Sequence, residues 1–578
     1  MYKTRIKQVQ EYLNKNDIDG FIFFISDDHG SEYITSTYKS VAYLSGFTGS
    51  AGTLLITKDN SYLWTDGRYF LQASEQLKVS NTTLKKIGED ETITEYISCN
   101  LKSIAFDFKV ANVAFVSYLL SLSNIKLVNE EKLLDKIWTN RPKLSKKKIS
   151  VLPDRATHMS INKKCYKTLS SIKRKDNYGV LITALDDIAY VLNARGKDIK
   201  YNPVFNSFMF LTKVNGVNTY TLYMSKSKLS LEAKEKFIEQ GIDVKPYNQI
   251  YKDIANFNYK IYYNSNKTNY LLYTLMHNKQ AIELWPTLSK AIKRKVEIND
   301  SKKAHIKDAV AMCKFIYYIK NNVGKVKMDE LSVTRHLEKL RKQQGAYDLS
   351  FSTICGYKAH GAIIHYSATK ESNVSIENDG FLLVDSGGQY YYGTTDITRT
   401  LALNNISDEM KYHFTLVLKA HIDLAMAKFN KATLDSKLDL IARRPLWDAG
   451  LDYNHGTGHG VGHILNVHEG PQSIRHNKVN PTTMKKGMVT SNEPGLYFEG
   501  KYGIRHENEM LCISIDKDTL GFEPITYVPF DIDAINVDML TQEERNWLNN
   551  YHKLVYNIVS KYLTINEKEY LRKITKEI

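Results

Sequence analysis

The chain has 578 residues and a formal net charge of +16, with 43% hydrophobic and 25% charged residues. That length exceeds one core and predicts roughly three or four domains of an ordinary globular protein. No run of about eighteen uncharged apolar residues occurs, and Met1-Tyr-Lys-Thr-Arg-Ile-Lys7 has no apolar signal core, so no membrane partner is expected and the expected location is cytoplasmic.

Residues 1–150, 151–300 and 301–578 carry net charges of +3, +11 and +2, so the basic excess lies in the middle. Its densest runs, Lys143 to Lys148 and Lys173-Arg174-Lys175, show neither the dense stripe nor the interleaved aromatics of a nucleic-acid surface. Nucleic acid is not an expected partner. Cys99, Cys165, Cys313, Cys355 and Cys512 are scattered, without Cys-x-x-Cys spacing, and read as reduced, mostly packed thiols.

Residues 1–145 read as one α/β unit. Ile6 to Leu13 has helical spacing, Asp19 to Ile25 is a buried-strand run, and strands are expected at the end of Val41–Ile56 and at Ser61–Thr65. Asp66 is expected to cap a helix from Tyr69 to Leu77, with Arg68 paired to it. The polar, Pro-containing stretch Trp138 to Lys148 reads as a linker. A second α/β unit, 146–297, follows. In it Leu185 to Gly196 echoes Ser40 to Gly46, and Phe205 to Thr212 echoes Gly52 to Thr57, so two copies of one fold are expected. The third unit is 298–578. Helices are expected over Ile306–Val323, Met328–Gln343, Leu416–Phe429 and Asp435–Leu446. A last one starts at the capping-box-like Thr541-Gln-Glu-Glu544 and turns Tyr551, Leu554, Val555 and Ile558 to the core.

The chemistry-bearing stretch is Asn454 to Gly470, where His455, His459, His463 and His468 alternate with Gly456, Gly458, Gly460 and Gly462. Imidazole is the commonest metal ligand, and glycine lets backbone approach closely. The plain alternative is a glycine-rich loop with solvated histidines. Acids in apolar settings add weight to the first. Asp385 ends the strand-like run Phe381–Val384, and Asp396 precedes a second β-favouring run, so a hairpin would bring the two together; pairing with Arg399 is the alternative. Glu493 follows Met488-Val489, and Glu507 precedes Met510-Leu-Cys512. Asp385, Asp396, His459, Glu493 and Glu507 make a set of four carboxylates and one imidazole. Such a set favours oxygen-seeking ions over structural zinc, and its charge suits two metals bridged by carboxylates.

The order Asp, Asp, His, Glu, Glu resembles the two-metal pita-bread peptidases: methionine aminopeptidase, prolidase and aminopeptidase P. Narrower words resemble the eukaryotic cytosolic form of aminopeptidase P along almost the whole chain. These are Gly361-Ala-Ile-Ile-His365-Tyr, Gly393-Thr-Thr-Asp396-Ile-Thr-Arg-Thr, His455-Gly-Thr-Gly-His459-Gly-Val-Gly, Asn466-Val-His468-Glu-Gly-Pro and Glu493-Pro-Gly. The resemblance implies an α/β (α+β) chain: two creatinase-N-like domains, then a catalytic pita-bread domain with a helical tail. It implies a homodimer and two divalent ions, manganese expected, sharing a water whose pKa they lower to supply hydroxide.

The implied reaction is removal of the N-terminal residue from peptides with proline at position two. By resemblance Glu493 is metal ligand and general base, and His468 steadies the tetrahedral intermediate. His365 and His455 place the substrate or relay a proton, while Trp447, Tyr497 and Arg505 lie near the substrate. His463 and His506 have no role to carry over. A prolidase-like dipeptidase and a non-enzymatic binding protein on the same fold are the alternatives. The chain departs from the family at Tyr392, where an Asp usually precedes the glycine.

Overall fold

The apolar run after Asp19 becomes strand β1, Gly20–Phe24, in the computed structural model, which describes residues 1–578. Strands β2 (Thr53–Thr57), β3 (Ser61–Thr65), β4 (Thr83–Lys86), β5 (Ser103–Phe106) and β6 (Lys126–Asn129) join it in a sheet ordered β4-β3-β2-β1-β5-β6. Side chains alternate between the faces of a strand. Accordingly Phe21 and Phe23 pack into one core with Leu54 and Ile56, and Ile22 packs into another with Leu55 and Phe106. Both faces are covered, so the strand reads as continuously apolar.

Strands β7 (Tyr178–Ile182), β8 (Phe208–Val214), β9 (Val217–Tyr223), β10 (Ile242–Lys245), β11 (Lys260–Tyr263) and β12 (Asn278–Ala281) repeat this design in the order β10-β9-β8-β7-β11-β12. The parallel and antiparallel senses also match, pair for pair. Helices Ser40–Ser45 and Leu185–Val191 stand between the first and second strands of each copy, which is where the sequence echo lies. Phe205, Phe208 and Phe210 are core residues. Residues 138–149 carry no helix or strand. Asp66 does not cap the following helix, Phe70–Gln76, which has no side-chain cap; both its oxygens are held by Arg68 at 2.8 Å. Both sheets belong to one compact unit, Met1–Thr287, and the rest of the chain, Leu288–Ile578, forms another.

The second unit opens on α1, Lys295–Asn322, eleven residues before the apolar periodicity begins. The inner face of its first half is polar: Ser301, His305 and Asp308 recur at helical spacing and are buried. Helix α2 (Glu330–Gln343) is capped by Asp329, whose side chain accepts from Ser332 N, and its first residue, Glu330, is buried. Strands β13 (Ile354–Tyr357), β14 (Phe381–Ser386), β15 (Gly388–Tyr390), β16 (Gly393–Thr394) and β17 (Ile397–Ala402) precede helices α3 (Asp408–Ala425) and α4 (Asp435–Trp447). Strands β18 (Gly458–His459), β19 (Ser473–Ile474), β20 (Val489–Asn492), β21 (Gly495–Phe498), β22 (Tyr502–Arg505), β23 (Asn508–Ser514) and β24 (Thr519–Pro524) follow. They pair antiparallel as β13-β14-β17, β20-β23-β24, β18-β19 and β21-β22.

Helix α5, Gln542–Val559, starts at a capping box of Thr541 and Glu544. It buries Leu548, Tyr551, His552, Val555 and Val559, whereas Leu554 is exposed, because the four-residue steps from Leu548 to His552 and from Tyr551 to Val555 and Val559 define the inner stripe and Leu554 falls at its edge. All five cysteines are free, Cys99 exposed and the others buried. No helix is long and apolar enough to cross a membrane.

The loop that carries His365 is seated on β22 by two glycines. A Cβ at Gly503 would lie 1.8 Å from the carbonyl oxygen of Gly361, so backbone, not a yielding side chain, opposes it. Gly503→Ala is therefore expected to lower stability by about 1–3 kcal/mol or more, read as a lower urea midpoint at unchanged slope. An unaltered midpoint would contradict this close approach.

Candidate metal centre

Each of the four acids stands where a strand ends. Strands β14 and β17 pair with Asp385 opposite Thr398 and Ser386 opposite Ile397, leaving Asp396 just beyond the last pair. Asn492 pairs with Asn508 across β20 and β23, so Glu493 and Glu507 lie at the same end of that pair. His459 ends β18. Gly458 brings it in: a Cβ there would lie 2.0 Å from Ser491 O, and His459 N donates to Ser491 Oγ at 2.9 Å. Ser491 Oγ in turn donates to Glu493 Oε1 at 3.0 Å.

Ligand atoms of Asp396, His459 and Glu507 all lie within 4.8 Å of one another. His459 Nε2 is 3.3 Å from Asp396 Oδ2 and 3.4 Å from Glu493 Oε1. Its Nδ1 donates to Gly460 O at 3.0 Å, which sets the tautomer and aims Nε2 at the acids. Asp385 Oδ2 accepts from Arg505 at 2.6 Å, while Oδ1 is buried without a hydrogen-bond partner. Glu507 repeats the pattern: Oε2 accepts from Thr398 Oγ1 at 2.8 Å and Oε1 is buried and unpartnered. One oxygen of each is anchored by protein and the other is left over. Such orphaned oxygens, in a set of four carboxylates and one imidazole, suit divalent oxygen-seeking ions.

The electrostatics point the same way. Burial, the Asp385 charge and Glu493 outweigh His459 and push the Asp396 carboxyl up to about 6. Burial and the three other acids hold Glu507 well above the usual carboxylate range. Burial also raises Glu493, against the pull of His459 and Arg505. His459 is disfavoured as a cation by burial, yet Asp396 and Glu493 push it up to about 10. These groups hold protons because their charges are crowded, and a cation among them would take the protons' place.

The remaining expected residues divide. His455 Nδ1 donates to Gly456 O at 2.8 Å, and its Nε2 lies 2.8 Å from Tyr497 OH. Arg505 donates to Tyr497 OH at 2.7 Å and is only 1% exposed; it stands behind Asp385 and Tyr497. The His468 ring meets the His459 ring edge-on, with centroids 4.3 Å apart. His365 is half-buried in the loop seated on β22. Trp447, the last residue of α4, is 43% exposed and packs edge-on to His476. His506 is a core residue against Phe414 and Phe530, and burial keeps it neutral. Arg399, the alternative partner for the acids, donates instead to carbonyls of Thr398, Glu507, Val528 and Pro529. Tyr392 is 38% exposed, with Lys303 Nζ 5.6 Å from its ring.

Sequence reasoning missed Thr398, Ser491 and Glu509. Glu509 lies inside β23, two residues after Glu507, which precedes the strand.

A carboxylate whose folded pKa is raised binds more protons folded than unfolded, so stability falls as pH rises through that window. For Asp396 the window runs from its ordinary value to about 6. Bound cations compete with those protons and gain as they leave. The rise in Tm on adding Mn²⁺ to metal-stripped protein is thus expected to be larger at about pH 7 than at about pH 5, while the metal-free Tm falls. Equal rises at both would contradict the arrangement.

Comparison with known proteins bears on the same residues. The model of metallopeptidase family M24 matches residues 299–514, with its C-terminal region at 518–578; creatinase/prolidase N-terminal domains match 5–137 and 140–297. Xaa-Pro aminopeptidase 1 of Dictyostelium discoideum is 36% identical, over 98% of this chain and 94% of that one. Aminopeptidase P1 of Arabidopsis thaliana is 33% identical over 97% of each. The crystal structure of X-prolyl aminopeptidase from Caenorhabditis elegans, described as a cytosolic enzyme with a di-nuclear active site, superposes with a TM-score of 0.96 at 30% identity over 100% of both chains. With relatives of this identity aligned over nearly its full length, the chain belongs to the Xaa-Pro aminopeptidase (aminopeptidase P) family of M24 metallopeptidases.

Proposed function

We propose that this protein is a metal-dependent aminopeptidase that hydrolyses the N-terminal Xaa-Pro bond of peptides. Asp385, Asp396, His459, Glu493 and Glu507 would hold two divalent ions, manganese first among the choices. One observation carries the reading: the ligand atoms of Asp396, His459 and Glu507 share one small space, lined by buried oxygens with no protein partner. The three-domain division at 145 and 297 is supported by the repeated sheet of the first unit.

When bound, the ions supply Lewis-acid polarisation and a water of lowered pKa. The chain's own groups do the rest. Glu493, steadied by Ser491 and raised in pKa by burial, accepts the proton of the attacking water. His468, whose ring packs edge-on against that of His459, would stabilise the developing oxyanion. His455 and His365 would place the substrate or relay a proton to the leaving imide nitrogen. Arg505 holds Asp385 and Tyr497 in place. The bond before proline has no N–H; a site with no requirement for that donor accepts what general aminopeptidases refuse, and Trp447 is proposed beside the ring's pocket.

Hydrolysis of an Arg-Pro-Pro-type peptide with added Mn²⁺ tests the reading. Asp396→Asn is expected to lower kcat/KM by at least about a hundredfold; equal rates would overturn it. Cleavage of Xaa-Pro dipeptides in preference to longer peptides would favour a prolidase. We also infer a cytoplasmic homodimer formed through residues 298–578. Light scattering is expected to give twice the 66.4 kDa chain mass, and a monomeric mass would contradict the dimer.

A further inference from the structure

Asp396 sits in a break of the ladder: residues 395 and 396 belong to no strand, and β17 begins at Ile397. The peptide that joins Thr395 to Asp396 therefore has no strand partner of the usual kind, although both residues are buried. Side chains hold it instead. Its carbonyl, Thr395 O, accepts from Ser350 Oγ at 2.8 Å. Its N–H donates to Glu509 Oε1 at 2.8 Å. Thr395 Oγ1 donates to Asp308 Oδ1 at 3.0 Å, and Arg341 grips that carboxylate with two nitrogens at 2.8 and 3.0 Å.

Glu509 lies on β23 and is 1% exposed. It adds a fifth carboxylate beside four that already repel one another. The offset comes from α1: His305 Nε2 lies 3.1 Å from Glu509 Oε1, and His305 is 3% exposed. His305 Nδ1 donates to Ser301 O at 2.8 Å, which orients the ring so that Nε2 faces the acid. The polar inner face of α1 therefore has a use: it delivers a counter-group to a carboxylate that touches no expected metal ligand except through the Asp396 backbone.

We propose that Glu509, backed by His305, is a positioning residue that latches the Thr395–Asp396 peptide and so presents the Asp396 carboxylate to the ions. The inference rests on the metal reading above. A peptide plane held at both its oxygen and its nitrogen leaves Asp396 little freedom before the side chain begins. Groups that orient a ligand in this way typically change metal affinity ten- to a hundredfold when removed.

Full-length, metal-stripped protein titrated with Mn²⁺ by calorimetry tests the latch. Wild type is expected to bind two ions. Glu509→Gln, which keeps an acceptor for the Asp396 N–H, is expected to stay within about fivefold in Kd, and Glu509→Leu to weaken binding about tenfold or more. His305→Leu alone is expected to weaken it too, with the added Glu509→Gln restoring it, because an amide needs no counter-charge. Melting curves of each variant separate lost affinity from lost folding. The latch is overturned if Glu509→Leu binds like wild type, or if Gln proves as weak as Leu. Should Glu509→Leu not fold, the His305→Leu pair decides: restoration by Gln supports the latch, and equal weakness of single and double variants overturns it. A wild type that takes up no Mn²⁺ overturns the metal reading itself, whereas loss of binding in Asp396→Asn alone, with Glu509→Leu unaffected, overturns only the latch.

Discussion

Asp396, Glu493 and Glu507 each feel the charge of the neighbouring acids, Asp385 among them, and the architecture of the second unit is an answer to that repulsion. Protein supplies one guanidinium, Arg505, to Asp385, and one imidazole, His459, between Asp396 and Glu493. That leaves an excess of negative charge in a buried place, where an uncompensated carboxylate is very costly. Protons answer it in part, as the raised Asp396, Glu493 and Glu507 indicate. Divalent cations would answer the remainder. The fold keeps the acids from escaping by placing each at a strand end, fixed by the ladder behind it, and by tying one oxygen of Asp385 and of Glu507 to Arg505 and Thr398.

Arg399 shows that not every buried cation near the acids serves them directly. It is 1% exposed and donates to four carbonyls, to Asn508 Oδ1 and to Tyr551 OH. Its planar fork matches several acceptors at once. By holding the carbonyls of Glu507, Val528 and Pro529 it fastens the last strands and α5 to β17. Burial lowers its pKa, and the Tyr551 and Glu507 side chains oppose that shift. The charge is thus close enough to favour Glu507 as an anion without occupying the oxygens that ions would need.

How much of this was legible follows from the kind of signal each residue left. Asp385 and Glu493 were visible because each follows an apolar run, which carries the acid at its end towards the interior. The doubled α/β unit was visible in the Ala-Tyr helix words and the strands after them. The start of α1 was hidden, since Ser301, His305 and Asp308 face inward and break the apolar periodicity that marks a helix. Glu509 was hidden because it lies inside a strand rather than at the end of an apolar run, so the signal that marks the other acids does not mark it. Leu554 was misassigned because hydrophobicity alone does not say which of two adjacent residues, Leu554 or Val555, lies on the inner stripe. Contacts such as Gly458 against Ser491 and Gly503 against Gly361 join segments far apart in the chain, and no local pattern carries them.

A hydrogen-bond chain runs from one expected ligand to one expected proton donor, and its polarity can be worked out. Arg505 only donates, so Tyr497 OH accepts from it at 2.7 Å. Burial pushes the Tyr497 phenol up to about 12, so it keeps its proton and gives it to the next acceptor, His455 Nε2, at 2.8 Å. His455 Nδ1 carries its own proton, donated to Gly456 O. In this state the imidazole has no proton to offer a leaving nitrogen: one is committed to backbone and the other site is an acceptor. For His455 to act as the acid proposed above, it must first be protonated at Nε2, and Tyr497 must then turn its hydroxyl away. The same Arg505 holds Asp385, so a cation that draws on Asp385 also alters the partner of Tyr497. Asp385 and His455 are thereby linked through two side chains, Arg505 and Tyr497, so the proton arrangement at His455 follows from the same guanidinium that holds Asp385.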